Sequence, residues 1–272
     1  MTKMTILKRS RMLAIALGGM IIGLGATNTV VADELAAFKV GDKHSGYVYT
    51  AKETRELQND DFENPAMLWV EEGESLWSKA GANGKSCASC HEDAAKAMKG
   101  VAAAYPKYDA KTKKLINIEQ IINREIVEKT GGKALKWESK PLLALTAFVS
   151  VQSRGMPVAV KTDGKAAPFL AKGKEFFYKR RGQLDMACKH CHEDNAGNMI
   201  RADLLSQGQA NGFPTYRLKW QKIGSLHRRF RGCNKNIRAK PFKSGSDEYV
   251  NLELFVKTRG QGLKMEAPSV RR

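Results

Sequence analysis

Cys188-Lys189-His190-Cys191-His192 repeats a pattern that occurs 101 residues earlier as Cys87-Ala88-Ser89-Cys90-His91. Similar surroundings accompany both copies. Residues 73–77 (GESLW) precede the first copy, and residues 173–178 (GKEFFY) precede the second. Each copy is also followed by an apolar segment that ends in Arg-Gly, at residues 141–155 and 249–260. The chain therefore reads as a tandem duplication.

Cys-x-x-Cys-His is the attachment signature of c-type haem. Two thiols three positions apart reach both vinyl groups of one porphyrin, and the adjoining histidine then lies beneath the iron as its proximal ligand. The alternatives are a thioredoxin-like redox pair, a zinc site and a disulfide, but the first needs no histidine and zinc needs four clustered ligands. We therefore expect two covalent haem c groups. Their predicted thioether residues are Cys87 and Cys90 for haem 1, and Cys188 and Cys191 for haem 2, with His91 and His192 as the proximal ligands.

The closing segment of each repeat has helical periodicity. Leu142, Leu145 and Phe148 share one helical face, and Leu252 with Phe255 repeats the arrangement. We expect a mainly α fold: a tandem pair of cytochrome c-like domains with long irregular connections and few strands. The first domain is predicted at 33–158 and the second at 159–272. Residues 156–167 are expected to form the linker, and residues 33–66 an irregular arm that wraps the first domain.

The N-terminus has the layout of a secretory signal peptide. Residues 1–11 contain four cations and no acid, residues 12–26 are apolar, and Val30-Val31-Ala32 offers small residues for cleavage after Ala32. The apolar run is shorter than the roughly 20 residues of a membrane-spanning helix. We expect a cleaved signal peptide at 1–32, a periplasmic location and no membrane segment in the mature protein.

The chain is strongly basic. Its formal net charge is +18, and removal of the four signal-peptide cations lowers this to +14. Basic surfaces attract nucleic acids, acidic proteins and small anions. Because an exported chain does not meet nucleic acid, we expect an acidic partner protein or an anionic substrate.

The fifth cysteine, Cys233, lies outside both motifs in a cationic segment with Arg228, Arg229, Arg231 and Lys235. Cationic surroundings lower a cysteine pKa and favour the thiolate, which is both a nucleophile and a haem ligand. The alternative is a buried structural cysteine beside a solvated basic helix face. Composition alone leaves both interpretations open.

Several segments resemble the SoxA family, the c-type cytochrome subunits of the SoxAX complex of periplasmic sulfur oxidation. The resemblance covers most of the chain from about residue 69 onwards. It is carried by residues 141–157 (PLLALTAFVSVQSRGMP), the second haem motif, residues 212–220 (GFPTYRLKW), residues 224–233 (GSLHRRFRGC) and the tail at 248–268.

This resemblance implies roles for particular residues. Cys233 would be the distal ligand of haem 2 and the catalytic sulfur, and Arg229 would bind thiosulfate. Arg259 matches a further basic residue near that pocket. The implied activity is that of an L-cysteine S-thiosulfotransferase, which couples thiosulfate to a cysteine of the SoxYZ carrier and passes two electrons through haem to a SoxX partner. The remaining alternatives are an electron-transfer cytochrome, a di-haem peroxidase and a thiosulfate dehydrogenase.

Two positions depart from the family pattern. Glu125 falls where di-haem members have the cysteine that ligates haem 1, so Met98, His44 or Met67 would replace it, or the site is open. A histidine, His227, stands where glutamine is common. We expect His227 and His190 to face solvent.

Overall fold

Two pairs of packed helices form the framework of the computed structural model, which describes residues 35–272. The predicted mainly α character is confirmed. The helices are α1 (Lys52–Asn59), α2 (Met67–Ser78), α3 (Ala88–His91), α4 (Ala94–Ala97), α5 (Ile118–Thr130), α6 (Lys140–Val151), α7 (Ala167–Tyr178), α8 (Cys188–His192), α9 (Leu226–Asn236) and α10 (Asp247–Arg259).

The duplication seen in the sequence is also present in the packing. Helix α2 packs on α6 in the first repeat, and α7 packs on α10 in the second. A glycine permits the close approach in each pair. A Cβ atom at Gly73 would lie 2.2 Å from the Ala144 carbonyl oxygen, and one at Gly173 would lie 2.0 Å from the Asn251 carbonyl oxygen. Side chains larger than hydrogen are therefore excluded at both crossings.

The strands are short, as expected. They are β1 (Lys39–Val40), β2 (Lys43–His44), β3 (Lys107–Asp109), β4 (Lys114–Ile116), β5 (Met199–Ile200), β6 (Asp203–Leu204), β7 (Thr215–Arg217), β8 (Lys222–Gly224) and β9 (Ser269–Arg271). Six of them form two-stranded antiparallel hairpins. The others form a sheet in which β7 pairs antiparallel with β8 and parallel with β9.

The hydrophobic core extends across both repeats. Leu143 and Phe148 of the first repeat belong to the same buried cluster as Ile223, Leu254 and Met265 of the second. A smaller cluster around Phe177 and Tyr249 lies within the second repeat. Residues Ala37–Arg272 form one compact unit.

The predicted linker connects α6 to α7, but much of it is packed rather than exposed. The Val158 N–H donates to the Leu263 carbonyl at 2.9 Å, and the Met265 N–H donates to the Met156 carbonyl at 2.8 Å. Val158 and Val160 are buried. Its apolar residues explain this, because they extend the shared core. The domain boundary at 158/159 stays a prediction.

The N-terminal arm differs from expectation in two respects. It contains an eight-residue helix, α1, and it packs largely on the C-terminal tail rather than on the first repeat. Gln58 of α1 accepts the Val270 N–H at 3.0 Å, and Ser45 donates to the buried Glu266 carboxylate. The reason is that buried polar groups need hydrogen-bond partners. The tail buries a carboxylate, and the arm supplies hydrogen-bonding groups to it.

The predicted signal peptide at 1–32 lies outside the described residues. Within residues 35–272, none of the helices has the length and apolar character needed to span a bilayer.

Candidate active site

The second Cys-x-x-Cys-His motif forms the short helix α8 and holds its histidine in a defined orientation. His192 Nδ1 lies 2.8 Å from the Ser206 carbonyl oxygen, which fixes that nitrogen as the donor. Gly208 lies against the ring, and a Cβ there would be 2.8 Å from His192 Cγ. The other ring nitrogen is left to face a ligand. This histidine is also among the groups that act on the pKa of the Cys233 thiol.

Helix α9 positions Cys233. Ser225 caps its N-terminus by accepting the Arg228 N–H at 3.1 Å, and Leu226 and Phe230 anchor one face in the core. Arg229 precedes Cys233 by four residues, so both side chains lie on the same side of the helix. Both residues are half-buried. The helix thus presents a guanidinium and a thiol together.

The electrostatic surroundings favour the thiolate. Burial raises the pKa of the Cys233 thiol, but Arg229, His192 and Arg217 lower it by more, so that the pKa falls to about 7. In contrast, burial and the neighbouring Cys233 raise the pKa of Cys188 to about 12. Of these two cysteines, Cys233 is therefore the one poised to act as a thiolate.

The other predicted cations around Cys233 have different surroundings. Arg228 lies 3.7 Å from Glu138 and 4.3 Å from the centroid of the Trp220 ring, and Arg231 donates to the Phe242 carbonyl. Lys235 is exposed. Arg217, at the end of β7, is not among the predicted site residues. Its charge nevertheless helps to lower the pKa of the Cys233 thiol. No sequence motif signals this, because Arg217 precedes Cys233 by 16 residues and belongs to another element.

Arg259 lies on the histidine side of the site. Its Nη1 donates to the Glu193 carboxylate, and its Nη2 donates to the Gln207 carbonyl at 3.0 Å and approaches the His192 carbonyl at 3.5 Å. The guanidinium also lies 4.6 Å from the centroid of the Phe177 ring. These contacts indicate that Arg259 stabilises the segment around His192. The role of Arg259 in substrate binding stays a prediction.

The second motif fits a c-type haem. All five cysteines of the chain are free thiols, so none is committed to a disulfide. Cys188 and Cys191 lie close enough to Cys233 for its charge to raise their pKa values. An imidazole and a thiol therefore lie near the two motif thiols, and this set of donors fits an iron porphyrin.

The first motif borders a cavity of about 600 Å³. Cys87, Cys90 and His91 line it, and Trp77 lies beside the His91 ring with 5.6 Å between ring centroids. The opposite wall is mainly apolar and includes three isoleucines and two core residues of α6: Ile118, Ile121, Ile122, Leu145 and Val149. An apolar cavity with two thiols and an imidazole at its edge suits the predicted haem 1.

The residues predicted as distal ligands of haem 1 have different surroundings. Met98 lines the cavity, as does Glu125. Met67 instead accepts a hydrogen bond from Arg154 at 3.2 Å, and the His44 ring lies 6.4 Å from the Tyr49 ring in the arm. Met98 and Glu125 are therefore the two of these residues that border the cavity of the first motif.

The prediction that His227 faces solvent is wrong. The residue is 1% exposed, stacks on Trp137 with ring centroids 5.1 Å apart, and accepts the Gly245 N–H at Nδ1. Its Nε2 lies 3.1 Å from a Glu253 carboxylate oxygen. The aromatic and acidic neighbours, distant in sequence, explain the difference. His190 is half-buried and accepts the Ala187 N–H, so it caps α8 instead of facing solvent freely.

Comparisons with known proteins agree with this site. The chain matches the family model of the SoxA/TsdA cytochrome c domain over residues 72–158 and 172–265. The L-cysteine S-thiosulfotransferase subunit SoxA of Pseudaminobacter salicylatoxidans is 50% identical over 229 residues, which cover 84% of this chain and 80% of that protein. The corresponding subunit of Paracoccus pantotrophus is 49% identical, with 84% and 79% coverage.

A solved structure is also similar. The crystal structure of SoxXA from P. pantotrophus matches with a TM-score of 0.82 and 47% identity, covering 88% of this chain and 90% of that one. The two matched segments confirm the tandem cytochrome c-like fold, and a cytochrome c domain implies covalently bound haem c. The chain belongs to the SoxA family of c-type cytochromes.

Proposed function

We propose that this chain is the catalytic cytochrome subunit of an L-cysteine S-thiosulfotransferase, which couples thiosulfate oxidatively to a cysteine on a SoxYZ-type carrier. The observation that carries the proposal is the Cys233 thiol, which follows Arg229 by one helical turn on α9 and whose pKa Arg229 and His192 lower against the effect of burial. The names of the relatives support the same activity, because they are L-cysteine S-thiosulfotransferase subunits.

The overall reaction joins two sulfur atoms. The terminal sulfur of thiosulfate bonds to the carrier cysteine, the thiol proton is released, and two electrons are removed. A dianion must approach an anionic sulfur, and Arg229 offsets the repulsion between them. The Cys233 sulfur can hold the thiosulfate covalently and then leave as a thiolate when the carrier thiolate attacks.

The chain is proposed to hold two haem groups. Cys188, Cys191 and His192 would bind haem 2 with Cys233 as its distal ligand. Cys87, Cys90 and His91 would bind haem 1. When bound, haem supplies a one-electron acceptor beside the reacting sulfur. The positions of these residues in the chain's two motif sites support this assignment.

The proposed setting is the periplasm, with a SoxX-like cytochrome as the heterodimeric partner. The support for the partner is the solved SoxXA complex, in which a similar chain is present. The signal-like N-terminus supports export. No nucleic-acid or membrane partner is expected after signal cleavage.

The decisive experiment follows the mass of a carrier protein's cysteine when thiosulfate and the holoprotein complex are added. Wild-type protein should produce the thiosulfonate adduct, and Cys233→Ala should not. Lys235→Ala, an exposed position on the same helix, is the matched control and should retain activity.

The alternative functions predict other outcomes. An electron-transfer cytochrome would work equally well with Cys233→Ala. A thiosulfate dehydrogenase would turn over free thiosulfate without a carrier, and a peroxidase would consume peroxide. Any of these results would replace the proposed activity.

A further inference from the structure

Helix α9 carries Cys233 in the second repeat, but the first repeat holds the start of this helix. The Ser225 hydroxyl, at the N-cap of α9, donates to the Glu138 carboxylate, and Arg228 lies 3.7 Å from the same carboxylate. Glu138 lies between α5 and α6 and has a φ angle of +62°, which is uncommon for a residue with a side chain. Such a conformation persists only where neighbours hold it, and the contacts with α9 are among them.

His227, in the first turn of α9, belongs to an aromatic stack that crosses between the repeats. Trp137 of the first repeat stacks on the imidazole, with ring centroids 5.1 Å apart and an interplanar angle of 5°. Phe230 stacks on the same ring at 5.9 Å, and the edge of Tyr249 approaches it at 5.5 Å. Because Phe230 lies three residues before Cys233, the stack extends from the first repeat to within one helical turn of the thiol.

A closed set of polar contacts also surrounds the His227 imidazole. The Gly245 N–H donates to Nδ1 at 2.9 Å, so the ring proton lies on Nε2. Nε2 lies 3.1 Å from a Glu253 carboxylate oxygen, and the same oxygen accepts from Asn117 Nδ2 at 2.9 Å. Gln120, which forms the capping box of α5 with Asn117, closes the set by donating to the Gly245 carbonyl at 3.1 Å.

The members of this set come from three helices and are buried. Asn117 caps α5 in the first repeat, His227 lies on α9 and Glu253 lies on α10, and all three side chains are shielded from solvent. Buried polar groups that satisfy one another favour a single arrangement, because any shift leaves a group unpaired in a medium of low dielectric constant. The three helices therefore hold one another in fixed relative positions.

The anchors near Cys233 itself belong to the second repeat. Arg181 donates to Asn234 at 2.6 Å, and Arg231 donates to the Phe242 carbonyl. The first repeat thus acts on α9 at its start, and Cys233 lies six residues beyond His227, roughly 9 Å further along the helix axis. A tilt of α9 at its first turn would consequently move the sulfur.

We propose that His227 is a positioning residue for Cys233. Held by Trp137 and by the polar set around Asn117, it fixes the direction of α9 and thereby the position of the sulfur relative to α8. This inference rests on the proposed function, in which Cys233 is the reacting group. The first repeat then contributes to the chemistry at Cys233 through packing, independently of any electrons that pass through its own motif site.

The test compares His227→Leu, Trp137→Leu and the double variant in the complete holoprotein complex. Both single variants should weaken the near-infrared band of thiolate-ligated haem. They should also slow carrier modification at saturating thiosulfate about ten- to hundredfold, because a misplacement of about 1 Å costs this much. Since both substitutions remove the same stacked pair, the double variant should be little worse than the more affected single variant.

His227→Gln tests rescue. Its amide oxygen can accept the Gly245 N–H, and its amide nitrogen can donate to Glu253, so it should recover most of the band and of the rate. Val70→Ala is the control for lost stability, because it removes buried methyl groups from α2, away from α9. This control should lower the urea midpoint and leave the band and the rate as in wild type. If His227→Leu loses haem, Trp137→Leu decides by the same measurements, because it leaves α9 itself unaltered.

Three results would overturn the inference. One is a wild-type band and rate in the folded Leu variants, since His227 would then serve stability alone. Another is a full sum of the two losses in the double variant, which would show that His227 and Trp137 act separately. The third is an equal loss in Val70→Ala. A wild-type holoprotein complex that does not modify the carrier gives a different result, which removes the proposed function and the inference with it.

Discussion

His192 is among the groups that lower the pKa of the Cys233 thiol against the effect of burial, although the two residues lie on different helices, α8 and α9. The Ser206 carbonyl holds Nδ1 of the same ring, so Nε2 is the nitrogen available to a metal. His192 and Cys233 are therefore the residues that would hold the iron of the proposed haem 2.

Replacing Cys233 with methionine should change the haem spectrum without loss of the haem. The near-infrared band of thiolate ligation should disappear, and the reduction potential of haem 2 should rise, because a thioether ligand favours ferrous iron more than a thiolate does. Potentiometric titration with optical detection measures both. Lys235→Met is the control on the same helix and should match wild type. Retention of the thiolate band by Cys233→Met would show that another sulfur ligates the iron.

Met98 should control the properties of haem 1, because of the three predicted substitutes it alone lines the cavity with His91. Met98→Ala should lower the reduction potential of haem 1, since loss of a thioether ligand removes its preference for ferrous iron. Met67→Ala should leave that potential unchanged, because Met67 contacts Arg154 instead. If Glu125→Gln alters the haem 1 spectrum and Met98→Ala does not, the carboxylate is the ligand.

Local patterns in the sequence predict the parts of this fold that depend on local chemistry. The Cys-x-x-Cys-His motifs predict haem ligands within five residues. The apolar spacing at Leu142, Leu145 and Phe148 correctly predicts helix α6, although the helix is buried on all sides between residues 142 and 150 rather than on one face. The position of Gly73 before the first motif and Gly173 before the second also predicts the duplication. Each of these signals lies within one helical segment or one loop.

The features that the sequence did not predict depend on contacts between distant segments. The charge of Arg217, on β7, helps to lower the pKa of Cys233, on α9, and no spacing rule in the sequence connects the two residues. His227 is buried because Trp137 stacks on it from 90 residues away in the chain. The arm packs on the tail because Ser45 and Gln58 satisfy buried polar groups there.

Glu119 should make the stability of the protein fall as pH rises. Its burial, followed by the charge of Glu253, raises its pKa to about 8 from the ordinary value of 4.5. Between these values the folded state holds a proton that the unfolded state has released, so the free energy of unfolding decreases by at most about 1.4 kcal/mol per pH unit. Glu119→Gln removes the ionisation. It should resemble wild type near about pH 5 and be more stable than wild type near about pH 8.

Urea unfolding of the holoprotein at both pH values measures this effect. Glu128→Gln is the control on the same helix, α5, because Lys111 lowers the pKa of that exposed carboxylate. The control should therefore keep the wild-type decrease between about pH 5 and about pH 8. An equal decrease in Glu119→Gln would mean that Glu119 does not carry the proton.

Gly73→Ala should destabilise the first repeat, and Gly173→Ala the second, because each added methyl group would meet a backbone carbonyl across a helix crossing. Backbone atoms in packed helices cannot move aside without separating the pair, so we expect a loss of about 1–3 kcal/mol in the free energy of unfolding. Ser75→Ala and Lys174→Ala change exposed positions on the same two helices and should cost little. Urea denaturation of the holoprotein, followed by circular dichroism, compares each pair. If both glycine variants unfold at the wild-type midpoint, the two helix pairs are packed less closely than the Cβ-to-carbonyl distances indicate.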